Sequence, residues 1–444
     1  MESASATGEI ELSIESETQA ATGWSRWYVV TVLGLVYAMN IADRYVVSTL
    51  MEPIRLDLHL TDSGIAMLTG TALALFYVTI GIPVSALADR ANRRNIVAGA
   101  LVLWSAFTMA CGAARNFGQL MLTRVGVGIG EAGGTPPSTS ILSDLFPARE
   151  RAMAVTFYSL GSPIGAWIGA DLAGRLADLY GWRTVFYALG LPGVVLGLLV
   201  FLTVREPARG QMEEVVAKPA VIPLWHALRF IFSQKSAVHL IIATAVATLW
   251  GWGLMWWTPT YLMRAYGMTP GQTGAILGPI HIVAGSVATL ATGRVMATGT
   301  MSDPRRALWF IGAMIAVISV PTFLIYQTHH LDVAILGLWI FVPGVYFYVG
   351  PSFGLLSNLV PPQMRATALA ILLLASNIAN LVIAPQAVGF VSDHLAGAGG
   401  ANAASLRIAL LLLTPTGFWG AWHYWAAGRR FVADQRRAEQ WTAG

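Results

Sequence analysis

Leu142-Ser143-Asp144-Leu145-Phe146-Pro147, followed by Arg151-Ala152 and Ala154, returns 214 residues later as Leu356-Ser357-Asn358-Leu359-Val360-Pro361, followed by Arg365-Ala366 and Ala368. Seven of the fourteen positions from 142 to 155 agree with their counterparts. With one residue of slippage, Gly174 to Asp178 resembles Gly389 to Asp393. Two halves built on one plan explain such an offset, and the apolar runs around the repeat show what that plan is.

Runs long enough to cross about 30 Å of hydrocarbon recur along the chain. They fall at 26–52, 64–88, 95–114, 117–142, 152–173 and 184–204, then at 238–263, 272–298, 306–326, 332–358, 366–391 and 406–427. The fold expected is all-α and polytopic, with twelve transmembrane helices in two pseudo-symmetric six-helix bundles. The organisation predicted is a disordered acidic tail at 1–23, a first bundle at 24–204, a linker at 205–236, a second bundle at 237–427 and a tail at 428–444. Within the linker, residues 224–232 read as a short basic amphipathic helix lying in the membrane interface.

Composition agrees. Charged residues make up 11% of the chain against about 25% in soluble proteins, and apolar ones 55%. The net charge of +4 is not a nucleic-acid footprint, because its distribution follows membrane sidedness. With both termini cytoplasmic, nineteen Lys and Arg fall on the inner side and six on the outer, and Arg44 and Arg124 lie inside spans. An integral protein of the bacterial inner membrane is expected, surrounded by membrane lipid and monomeric. The single cysteine, Cys111, excludes an internal disulfide and a thiolate metal cluster. The tail at 1–23 has five glutamates and no basic residue, so it does not read as a secretory signal.

Ser85-Ala86-Leu87-Ala88-Asp89-Arg90-Ala91-Asn92-Arg93-Arg94 resembles the loop motif after span two of the major facilitator superfamily. Arg124-x-x-x-Gly128-x-Gly130 in span four, Gly161-Ser162-Pro163-Ile164-Gly165 in span five and Gly181-Trp182-Arg183 opening span six resemble further family patterns. Asn40-Ile41-Ala42-Asp43-Arg44, together with Arg124 through Glu131-Ala132-Gly133, is similar to the spinster-like lysolipid and sphingolipid carriers. The resemblance covers residues 25–430 and implies a secondary transporter working by alternating access. It also implies that Asp89 meets the start of span eleven, near Gln363 to Ala366, and braces the outward-facing state. Arg90, Arg93, Arg94, Asp144, Glu150 and Arg151 would complete a cytoplasmic gate; the plainer alternative is that the arginines only set topology.

Charges inside the spans narrow the mechanism. A charge at bilayer depth costs roughly 2.5–3.5 kcal/mol on the lenient scale, so it faces a cavity or a partner. Asp43, Arg44, Arg124 and Glu131 all lie in spans one and four. Arg124 and Glu131 are two helical turns apart and share a face, as do Tyr37, Asn40 and Arg44. The offset of 214 puts Leu338 and Val345 opposite Arg124 and Glu131, so the second half lacks the set. Its span seven instead crowds Trp250, Trp252, Trp256 and Trp257. A cavity between such halves suits an amphipathic or anionic small molecule, its head at the arginines and its tail along that aromatic wall, with Tyr37, Asn40, Arg44, Arg124, Trp252 and Trp256 as the expected substrate-binding residues. Glu131, with Asp43, Arg44 and Arg124, is the expected proton-coupling set, the carboxyl holding a proton until an arginine approaches. Structural roles are the alternatives: an Asp43–Arg44 pair, an Arg124 bonding carbonyls, and tryptophans that only pack.

Enzymatic chemistry finds no footing. His-Glu-x-x-His is absent, and Gly128-Ile129-Gly130-Glu131 has glutamate where an intramembrane aspartyl protease needs aspartate. No catalytic residue, metal ligand or cofactor is expected, with the proton alone as coupling ion. Among carriers, the choice lies between a lysolipid- or sphingolipid-like anion, multidrug export and proton-linked symport of small organic anions such as sugar acids.

Overall fold

The structure, a computed structural model, describes residues 3–71, 90–209, 212 and 222–441. Every regular element among them is helical, and the chain forms the twelve-helix, two-bundle architecture. Nine of the described helices are each long and apolar enough to cross a membrane: Arg26–Asp57, Arg93–Ala113, Trp182–Thr203, Lys235–Tyr266, Pro270–Met296, Pro304–Gln327, Leu331–Ser357, Pro362–Gly399 and Ala403–Glu439. These are spans one, three and six to twelve. Span two is described only as Asp62–Ala66 and the π-turn Met67–Thr71. Asp89, expected at the cytoplasmic gate, lies outside the described residues.

Spans four and five are assembled from shorter pieces. Span four is Phe117–Glu131 followed by Thr135–Leu145. The break comes at Gly133-Gly134, and Pro136 and Pro137 then open the second helix, where a missing N–H is tolerated. Glu131 is therefore the last residue of its helix, beside the negative end of the helix dipole. Span five runs through Ala148–Ser159, Gly161–Trp167, the π-turn Ile168–Leu172 and Ala173–Tyr180.

The π-turns themselves obey the repeat. Met67–Thr71 corresponds at the 214 offset to Ile280–Gly285 in span eight, and the π-turn Ile168–Leu172 of span five has its counterpart in span eleven one helical turn early, at Ile378–Ile383. These four spans carry the seam between the bundles, where span two meets span eleven and span five meets span eight. Backbones touch there. A Cβ on Gly70 would overlap the Leu381 carbonyl, and one on Gly274 the carbonyl of Ala170.

Both chain ends differ from the expected tails. The first helix extends back to Ser3, through the acidic stretch expected to be disordered; alanine and glutamate favour helix, and no proline interrupts the run. The last helix continues to Glu439 instead of ending near 427, with Phe431 and Asp434 buried. Asp434 gives the physical reason. Its carboxylate accepts from the Ser236 N–H at 2.8 Å, capping the start of span seven, and its carbonyl accepts from Gln234 Nε2 at 3.0 Å. The linker helix is Leu224–Ser233, with Ala227 and Ile231 buried and Leu224, Trp225 and Phe232 exposed.

Candidate functional site

Span one places its polar residues on two faces. Arg44 turns to span four, where Nε and Nη2 both donate to Glu131 Oε2 at 3.0 and 2.9 Å. The Arg44 side chain keeps 15% exposure while that of Glu131 has none. Asp43 is buried on the other face and accepts from the Thr108 hydroxyl of span three at 3.1 Å. It lies within the electrostatic reach of both Glu131 and Arg124.

Arg124 is 1% exposed, and its guanidinium nitrogens make no hydrogen bond to a protein oxygen among the described residues. It lies beside Asp43 and Cys111. The four charges expected to work together therefore do meet, but inside the first bundle. In this state Arg124 is sealed in packing, and Arg44 is the member that retains contact with the exterior.

Between the bundles lies a cavity of about 670 Å³. Tyr37, Thr156, Tyr158 and Ser162 line it from the first half, and Trp252, Val345, Tyr346 and Phe353 from the second. Tyr37 stacks on Tyr158 with centroids 4.9 Å apart. Trp252 borders the cavity and sits edge-on to Tyr346 at 5.9 Å. Asn40 and Trp256 are buried; the Trp256 indole donates to Asn380 Oδ1 at 2.7 Å, and its carbonyl accepts from Ser48 of span one at 2.6 Å. Trp250 and Trp257 are wholly buried and serve packing.

The residues expected at the gate are joined within the first bundle. Arg93 pairs with Asp144 and, at 2.7 Å, with Glu206, and donates to Ser140 at 2.9 Å. Arg94 donates its N–H to Glu206 at 2.9 Å and lies over the Phe201 ring. Arg26 and Glu150 approach to 3.8 Å, and Arg90 is exposed. Arg151 Nη2 donates to the Ser143 carbonyl at 2.8 Å, and Arg365 Nε to the Ser357 carbonyl at 3.2 Å. The repeated arginine thus satisfies the repeated helix end eight residues before it.

A second cluster, not anticipated from the sequence, closes the opposite end of the seam. Arg264 of span seven donates to Glu52 of span one at 2.6 and 2.8 Å and to Asp62 of span two at 2.7 and 2.8 Å. Asp393 of span eleven accepts from the N–H groups of Asp62 and Ser63, both at 2.8 Å. Asp178 of span five accepts from the Thr269 hydroxyl at 2.6 Å and the Gly271 N–H at 3.1 Å, at the start of span eight. The repeat of Gly174–Asp178 in Gly389–Asp393 was the available signal. The cavity wall runs the other way, to Val155, Met296 and Phe353, so the seam is shut at this latch and hollow towards the linker.

The sequence profile of the Major Facilitator Superfamily matches residues 33–384. An MFS-type efflux pump of Mycolicibacterium smegmatis is 34% identical over 413 residues, 92% of this chain and 94% of that protein. Protein spinster homolog 1 of Homo sapiens is 26% identical, over 94% of this chain and 83% of its own. The crystal structure of a bacterial homolog of the human lysosomal transporter Spinster, inward-facing and unoccupied, is similar with a TM-score of 0.81 and 28% identity, over 95% of this chain and 99% of that one. The chain belongs to the Major Facilitator Superfamily and is a membrane transporter.

Proposed function

We propose that this transporter is a proton-coupled carrier of an amphipathic anion, lysolipid- or sphingolipid-like, working by alternating access. The observation that carries the reading is the Arg44–Glu131 contact, in which a partly exposed guanidinium is held by a sealed carboxylate. A substrate anion and the Glu131 carboxylate compete for that guanidinium. Protonating Glu131 removes its hold on Arg44 and lets an anionic head take its place. Tyr37, Tyr158, Trp252 and Tyr346 supply an aromatic wall for the apolar part.

The excess of Lys and Arg on the linker side orients that side to the cytoplasm, with the latch outside and the hollow seam inward. In the inner membrane of a bacterium, the resting proton gradient then drives the cycle. Protonation at Glu131 is the coupling step, and rocking of the halves across the π-turned spans is the movement.

Purified protein in proteoliposomes tests this directly. Uptake of oleoyl lysophosphatidate should saturate and respond to an imposed pH gradient, and Glu131→Gln should abolish the response while retaining the folded protein. Uptake indifferent to the gradient in the unaltered chain sinks the coupling. Transport of cationic drugs or sugar acids in place of the lysolipid sinks the substrate class.

A further inference from the structure

One buried imidazole stands apart from the charged set. His281 lies on the π-turn Ile280–Gly285 of span eight and is sealed at 1% exposure. π-Turns are over-represented where a helix aims a functional side chain. His281 Nδ1 is 3.0 Å from the hydroxyl of Tyr346, which borders the interhalf cavity. His281 Nε2 is buried and has no hydrogen-bond partner among the described residues. Tyr45, from the other half, lies edge-on to the imidazole at 4.8 Å, and Trp252 and Trp256 flank Tyr45 from span seven.

The chemistry of the pair is specific. A neutral imidazole has one donor and one acceptor, and a phenol can play either part. If Nδ1 donates to Tyr346, then Nε2 is left as an acceptor and the phenol O–H as a donor. If Tyr346 donates to Nδ1, then Nε2–H is the donor and the phenol oxygen the acceptor. In this state the Tyr45 hydroxyl lies beside that of Tyr346; with Tyr45 withdrawn, either tautomer presents one donor and one acceptor. A hydroxyl group, itself both donor and acceptor, answers that arrangement; a carboxylate or an ammonium uses only half of it.

A buried nitrogen without a partner is destabilising unless another state supplies one. Tyr45 covers His281 here, and Tyr45 is the chain neighbour of Arg44. Rocking that parts the halves at the latch carries span one, and Tyr45 with it, away from span eight. We infer that His281 and Tyr346 form a subsite in the second half that takes a hydroxyl of the transported molecule, apart from the anionic group at Arg44. This rests on the carrier reading above and names a further element of substrate specificity.

The test uses two ligands with the same phosphate head and oleoyl chain: oleoyl lysophosphatidate, which has a free sn-2 hydroxyl, and its 2-deoxy analogue. Binding to the full-length chain in nanodiscs should favour the hydroxylated ligand about tenfold, the scale of one net hydrogen bond. His281→Leu and Tyr346→Phe should each erase that preference, and His281→Gln should restore part of it. Equal weakening of both ligands in the variants, or equal binding of both by the unaltered chain, overturns the subsite and leaves the carrier reading standing. Binding of neither ligand by the unaltered chain overturns both.

Discussion

Asp178 and Asp393, equivalent in the internal repeat, each cap the first turn of a helix in the opposite bundle, Asp178 at Gly271 and Asp393 at Asp62 and Ser63. The latch is thus built twice, once from each half, with a carboxylate placed at the positive end of a helix dipole. Glu52, Asp62 and Arg264 add an ionic clasp between the halves.

Removing both caps should open that end. Losing one side-chain cap costs about 0.5–2 kcal/mol, so Asp178→Ala with Asp393→Ala shifts the balance of states by roughly tenfold or more. Spin labels at Leu179→Cys and Leu395→Cys report it, because both positions are exposed and Cys111, the only native cysteine, is buried. The distance distribution should lengthen in the double variant; an unchanged distribution means that the caps do not hold this state.

The Arg44–Glu131 contact predicts a sign for pH. On the function proposed above, an anionic ligand competes with the Glu131 carboxylate for Arg44, so its affinity should rise as pH falls. Glu131→Gln lacks the competing charge at every pH. It should bind oleoyl lysophosphatidate as tightly at alkaline pH as the unaltered chain does in acid, with a flat profile between. A variant that keeps the full pH dependence moves the proton site elsewhere.

Sealed charges separate stability from transport. Arg124→Ala leaves Asp43 buried without its nearby cation, which should lower thermal stability although the two side chains share no hydrogen bond. Adding Asp43→Asn should return much of the lost thermal stability, since no unanswered charge then remains. Melting temperatures of the two single variants and the double variant measure this coupling. Strict additivity shows that Arg124 and Asp43 do not answer each other.

What the sequence made legible follows from the bilayer. Lipid demands long apolar helices, so the spans and the duplication could be read from hydropathy and the offset alone. Arg124, Glu131 and Arg44 were conspicuous because a charge in hydrocarbon must have a reason. The latch was not legible in the same way. Asp178 and Asp393 bond to backbone N–H groups at helix starts, and such partners carry no side-chain signature. The π-turns were hidden too, since one extra residue in a turn barely alters apolar periodicity. Glu206 sits among ordinary linker residues, and only the fold brings it to Arg93.

The tryptophans of span seven divide into two kinds, and the division can be measured. Trp252 borders the cavity, whereas Trp250 is wholly buried against Phe341 at 5.3 Å. Trp250→Ala removes core volume and should cost about 3–5 kcal/mol of stability. Trp252→Ala removes cavity wall and should weaken lysolipid binding about tenfold or more, since an aromatic side chain buries a large apolar area against its ligand. Its melting temperature should fall less than that of Trp250→Ala. Shortening the acyl chain should narrow the gap between Trp252→Ala and the unaltered chain, because less tail then remains for the indole to cover. A gap independent of chain length places the tail against another wall.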